Sequence, residues 1–158
     1  MTAKCTIRRA RATDVPALAR LLSALQAHYA SPDPAGGAEK MARLLTRPGD
    51  HIPFALIAER DGKAVGLATL TPVLYGGAYE WLLWLKDLYV TEKSGGIGEA
   101  LMRAMAKVAV DEGYVRIDWT TDQTNSGAQR FYDRLAIPRE GKVYYRLSGE
   151  TLRKFAGR

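Results

Sequence analysis

The sequence predicts a mixed α/β fold, a mostly antiparallel central sheet of about six to seven strands with helices on both faces. Three observations predict it. Apolar residues recur at helical spacing in two long stretches. The strand-like runs between them are punctuated by Asp61-Gly62 and Gly76-Gly77, residues that suit tight turns. The inferred order, β-α-α-β-β-β-α-β-α-β, puts hairpins in the middle of the chain and strand-helix-strand units later. At 158 residues the chain fits one domain spanning 1–158, large enough to bury a core without disulfide staples.

Thr6 to Arg9 reads as a short first strand. A helix follows, because Thr13 or Asp14 can accept from its free N–H groups and Pro16 is tolerated in the first turn. Val15, Leu18, Leu22, Leu25 and Tyr29 form its buried face. Two prolines and two glycines between Ser31 and Gly37 end it, and a short helix is expected over Ala38 to Leu45. Phe54 to Arg60 and Ala64 to Val73 are hairpin strands around Asp61-Gly62, and a long strand covers Glu80 to Val90. Next comes a helix from about Gly96 to Glu112, with Ile97, Leu101, Met105 and Val108 on one side. Tyr114 to Thr120 is read as a strand, Asn125 to Leu135 as a helix and Val143 to Leu147 as a final strand, with a short helix in the tail from Ser148.

Composition narrows the classes. The chain is 47% hydrophobic, 25% charged and 9% aromatic, close to the averages for soluble globular domains, which excludes disorder and collagen. The apolar run Trp81 to Leu85 is far short of the ~20 residues of a spanning helix. The first fifteen residues carry no apolar core of a secretory signal, so a cytoplasmic location without membrane partners is expected. One cysteine, Cys5, and two histidines, His28 and His51, provide no zinc-ligand cluster, and no metal is expected. Lys plus Arg number 23 against 17 Asp plus Glu, a net charge of +6. That surplus suits an anionic ligand. Its dispersal along the chain offers no specific nucleic-acid site.

The most informative segment runs from Leu85 through Lys86, Asp87, Leu88, Tyr89 and Val90 into Lys93, Ser94, Gly95, Gly96, Ile97, Gly98 and Glu99. A strand passes into a glycine-rich loop and straight into a helix, so the unpaired N–H groups of the first turn and the positive helix end face outward together. Such an end binds phosphate. Gly96 and Gly98 remove side chains where a ligand must approach, and Lys93 adds charge at the rim. A Walker A loop is excluded, since Glu99 rather than Lys follows Gly98. The dinucleotide fingerprint is excluded by Leu101 at its third glycine position.

Lys93-x-x-Gly96-x-Gly98 is followed, after one more strand, by Asn125-x-x-Ala128-x-x-Phe131-Tyr132. The pair resembles the GCN5-related N-acetyltransferases (GNAT), whose cofactor loop reads Gln/Arg-x-x-Gly-x-Gly/Ala and whose next helix carries Asn-x-x-Ala-x-x-Phe-Tyr. Within that family Leu85-x-Asp87-Leu88-Tyr89-Val90 and Lys142-Val143-Tyr144-Tyr145-Arg146-Leu147 are similar to the spermidine/spermine acetyltransferase-like branch, although Lys86 stands where that branch usually has Glu.

The resemblance implies the GNAT fold, acetyl-coenzyme A as co-substrate and a homodimer. It implies a diphosphate held by backbone N–H groups of Lys93 to Glu99, and a pantetheine arm beside Leu88, Tyr89 and Val90. Asn125 and Ala128 would line the far wall. A strand bulge would leave a backbone N–H near Leu88 free to stabilise the oxyanion, and Tyr132 would donate a proton to the departing thiolate. Phe131 is expected to pack on the sheet and Tyr132 not to, since neighbouring helix positions project about 100° apart.

Asp87 interrupts an apolar strand and is the candidate contact for an acceptor amine, with Lys86, Trp84 and Tyr29 beside it. The general base is open among Asp87 through a water, Glu80 and His28. Tyr75, Tyr79, Trp81 and Trp84 could form an aromatic wall for a cationic acceptor. The function expected is acetyl transfer to a primary amine of a small molecule. Acetylation of a protein lysine or N-terminus, and a non-catalytic coenzyme A sensor, are the alternatives.

Overall fold

The structure is a computed structural model that describes residues 5–75, 77–93 and 95–158. Two compact units are distinguished, Met1–Thr120 and Thr121–Arg158. The first contains strands β1 (Thr6–Arg9), β2 (Phe54–Arg60), β3 (Lys63–Tyr75), β4 (Glu80–Val90) and β5 (Ile117–Asp118), and helices α1 (Val15–His28), α2 (Gly37–Leu45) and α3 (Ile97–Glu112). The second contains α4 (Ser126–Arg134) and α5 (Gly149–Phe155).

The five strands form one sheet in the order β1-β2-β3-β4-β5. All neighbours are antiparallel except β4 and β5, which run parallel. The mixed α/β class is as expected, with fewer strands. The strand read over Tyr114 to Thr120 reduces to two paired residues, and the one read over Val143 to Leu147 is not formed. Val143 and Tyr145 alternate as strand residues do but are 78% and 88% exposed. Alternation records two faces; a strand also needs a neighbour to pair with.

Turn chemistry sets the hairpin. Asp61 and Gly62 both take positive φ, 51° and 71°, the requirement of a two-residue turn that matches strand twist. Gly76 of the second expected turn lies outside the described residues.

Both faces of the sheet are covered. Leu67 packs in one core with Leu18, Leu21 and Leu22 of α1, Leu45 of α2, and Ala55 and Ile57 of β2. Its neighbour Gly66 points the opposite way, where a Cβ would lie 3.3 Å from Ile97 Cγ2 and 3.1 Å from the Tyr89 carbonyl. The glycine lets the start of α3 settle onto β3 and β4.

The start of α1 departs from the expected cap. Asp14 occupies the N-cap position without a side-chain bond into α1. Its carboxylate accepts two bonds from Arg8, at 2.6 and 2.8 Å, and one from the Arg11 N–H at 2.7 Å. A bidentate charge-assisted pair is stronger than a neutral cap, so the arginine takes the carboxylate. Arg8 also reaches Glu59 at 2.8 Å. The Arg8 bond holds the Asp14 carboxyl below its ordinary range against the opposing effect of burial.

Candidate functional site

The ladder between β3 and β4 carries the main local feature. Registers run Gly66↔Val90, Leu67↔Tyr89, Ala68↔Leu88 and Thr69↔Asp87, then jump to Leu70↔Leu85 and Thr71↔Trp84. Lys86 is the extra residue of a β-bulge, two positions before the Leu88 expected beside it. An extra residue breaks strict alternation. Thr69 and Thr71 share a face of β3, so their partners Asp87 and Trp84 share a face of β4 although three residues apart. Tyr89, opposite Leu67, lies on that same face.

This face carries most of the residues singled out for the acceptor. Tyr89 packs against the α1 core cluster, and its ring centroid lies 5.9 Å from that of His28 at the end of α1. Tyr29, 58% exposed, meets His28 edge-on at 4.9 Å. Asp87 is held from β3: Thr69 Oγ1 donates to its Oδ2 at 2.8 Å and accepts from its backbone N–H at 3.1 Å. Lys86 Nζ lies 3.9 Å from Asp87 Oδ1, with its own side chain 71% exposed. At that exposure the ion pair contributes little. The aromatic wall is not assembled. Trp81 stacks on His51 at 4.1 Å, Tyr75 lies under Arg116 at 4.3 Å and Tyr79 is 92% exposed.

The other edge of β4 changes along its length. β5 pairs with it only at Leu83↔Ile117 and Trp84↔Asp118. Thr91 N donates to Val65 O at 2.9 Å across the β3 ladder. Bonded pairs alternate along an antiparallel ladder, so Tyr89 and Asp87 direct their peptide groups to β3. Those of Leu88 and Val90 turn to the opposite edge, beyond the last residue paired with β5.

That edge leads to the glycine loop. Gly95 and Gly96 have φ of 84° and 68°, conformations that cost other residues about 1–2 kcal/mol. The first ladder bond of α3 is Ala100 N to Gly96 O at 2.9 Å. The N–H groups of Ile97, Gly98 and Glu99 precede it, and Gly96 has no side chain to cap them. Nothing lies within 4 Å of where a Gly96 Cβ would be. A helix start with no side-chain cap and open space at Gly96 fits a diphosphate. The Glu99 carboxylate is drawn aside by Arg103 at 2.7 Å. Lys93 is exposed at the rim, and Ser94 lies outside the described residues.

Arg60, at the end of β2, was not singled out by the sequence. Its guanidinium occupies the space a Gly95 side chain would fill and reaches Glu92 at 3.1 Å. No motif marks it. Only the register of β2, β3 and β4 carries the end of one strand to the loop after another.

In the second unit, Asn125 caps α4: its Oδ1 accepts from Ala128 N at 3.1 Å. The spacing Asn-x-x-Ala is therefore a helix start as well as a family motif. Phe131 and Tyr132 are both half-buried, with ring centroids 5.2 Å apart.

Comparison with known proteins agrees with this geometry. The acetyltransferase (GNAT) family pattern matches residues 18–136. The uncharacterized N-acetyltransferase YhfO of Bacillus subtilis is 28% identical over 145 residues, which is 90% of this chain and 96% of that protein. The thialysine N-epsilon-acetyltransferase of Caenorhabditis elegans is 27% identical over 125 residues, 75% of this chain and 76% of that protein. Among solved structures, the aminoglycoside acetyltransferase AAC(6')-Iy, in complex with a bisubstrate analogue joining CoA and an acetylneamine, superposes with a TM-score of 0.77. It is 19% identical, and the match covers 93% of this chain and all of that one. With a bulged β4, a stretch of it that β5 does not pair and an α3 without a side-chain cap lying inside the matched span, the chain belongs to the acetyltransferase (GNAT) family and is an N-acetyltransferase with acetyl-CoA as co-substrate.

Proposed function

We propose that the chain acetylates a primary amine of a small molecule by direct attack within a ternary complex. The observation that carries this reading is the continuity of the outward peptide groups of Leu88 and Val90 with the uncapped start of α3. An extended ligand with a diphosphate at one end suits that pair. Bound acetyl-CoA supplies an activated acyl group. The backbone N–H groups of the segment from Lys93 to Glu99 hold its diphosphate, and Asn125 and Ala128 are further cofactor contacts. Leu88 N–H donates to the acyl oxygen as negative charge develops there.

Asp87 receives the acceptor's ammonium group and, through a water, takes the proton the amine must lose before attack. Trp84 and Tyr29 flank it. Tyr132 supplies a proton to the leaving sulfur. Two similar proteins support a small amine as acceptor, one named for thialysine and one bound to an acetylneamine analogue. Lys86 next to Asp87 opposes a multiply charged polyamine, so the spermidine/spermine-like branch is not carried over to the substrate.

A thiol-release assay with acetyl-CoA against polyamines, amino acids, aminoglycosides and lysine peptides tests the reading. Release with a small amine is expected; release with peptides alone contradicts it. Tyr132→Phe is expected to lower kcat by about a hundred-fold while leaving the acetyl-CoA KM unchanged. An unaltered kcat removes Tyr132 from the chemistry.

A further inference from the structure

A bulge removes a residue from the regular ladder and loosens the strand around it. The β4 bulge falls at Lys86, immediately before Asp87, a carboxylate on the acceptor face of this strand. Without a second constraint, Asp87 would be free to rotate about its χ angles beside the cationic Lys86. Thr69 provides that constraint. It is 5% exposed, lies directly opposite Asp87, and its hydroxyl bonds both ends of that residue. It accepts from the backbone N–H at 3.1 Å and donates to Oδ2 at 2.8 Å. A hydroxyl has one donor and two acceptor positions, so a single group fixes both the peptide and the carboxylate. Oδ2 is thereby engaged from inside the sheet. Oδ1, on the side of Lys86, is the oxygen left for a ligand.

We propose that Thr69 is a positioning residue: through these two bonds it sets the rotamer of Asp87 that presents Oδ1 to the acceptor amine. Its β-branched side chain holds χ1 and therefore the direction of the hydroxyl. The proposal rests on the assignment of Asp87 to the amine. Its mechanism is purely geometric, since Thr69 touches neither reactant.

The test uses the full chain with neamine and L-lysine as amine probes. Thr69→Val keeps the shape and deletes the hydroxyl, and Thr69→Ser restores the hydroxyl. In Thr69→Val the amine KM should rise about ten-fold, the size expected for one lost bond to a charged group, with the acetyl-CoA KM unchanged. Thr69→Ser should recover most of the loss. In an Asp87→Asn background Thr69→Val should add little, because the carboxylate it positions is gone. Amide exchange gives a readout independent of turnover: the Asp87 N–H should exchange faster in Thr69→Val and at the parental rate in Thr69→Ser. An unchanged Asp87 exchange rate in Thr69→Val overturns the proposal whatever the kinetics, as does a wild-type amine KM. If Asp87→Asn itself leaves amine kinetics unaltered, the assignment of Asp87 fails and takes the proposal with it. A large effect of Asp87→Asn beside none of Thr69→Val sinks the positioning role alone.

Discussion

The two halves of β4 are built from one continuous strand and do different work. From Glu80 to Leu85 it pairs with β3 on one edge and, at Leu83 and Trp84, with β5 on the other, and Leu82, Leu83 and Leu85 are at most 5% exposed. From Lys86 to Val90 it pairs with β3 and, among the described strands, with no other, and every residue is at least partly exposed. The bulge at Lys86 divides them. The first half satisfies its peptide groups within the sheet and stabilises the fold. In the second, alternate peptide groups face outward, which is what binding an extended ligand requires. Apart from Trp84, which shares the face of Asp87, substitutions in the first half should therefore change stability, and those in the second half and the loop after it should change kinetics.

The largest effect is expected in the first half. Leu83 is fully buried and paired on both edges, so Leu83→Ala should cost about 2–5 kcal/mol. Denaturant unfolding reads that loss, and the KM values of whatever enzyme remains folded should be unchanged.

Asp14 lies outside both halves and provides a control. Its folded-state pKa is depressed, chiefly by the Arg8 bonds. The stability it contributes is therefore present above the unfolded aspartate value of about 3.9 and is lost as pH falls through the depressed value. Asp14→Asn should lower stability near neutrality and weaken the fall of stability below about pH 4, read by unfolding across pH. A wild-type slope in the variant contradicts the pairing.

A smaller effect is expected at the loop. Gly96 has φ of 68°, so Gly96→Val carries about 1–2 kcal/mol of strain at the start of α3. The acetyl-CoA KM should rise about ten-fold with little change in the amine KM. An equal rise in both would erase the division between cofactor and acceptor faces.

Much of this was legible from residue order. Asp61-Gly62, the prolines after α1 and the 3.6-residue spacing in α1 and α3 report local preferences, and those elements formed where expected. Gly96 and Gly98 were marked by local chemistry and by a family pattern, Leu88 by the family pattern alone. The bulge at Lys86 was not locatable, because it is a mismatch between two strands and neither strand alone encodes it. The Thr69 hydroxyl and the Arg60 guanidinium escaped notice for the same reason: each acts on a residue of another element. The strand read at Val143 to Leu147 failed in the opposite direction, with the right alternation and no pairing partner.

Amide hydrogen exchange along β4, with and without coenzyme A, tests the division most directly. The Leu83 N–H, which donates to Arg116 O at 2.9 Å, should exchange slowly in both states. Those of Leu88 and Val90 should exchange fast in the free protein and slow markedly when coenzyme A saturates it, together with Ile97, Gly98 and Glu99. If Leu88 and Val90 keep their free-protein rates at saturation, the second half of β4 is not the cofactor edge.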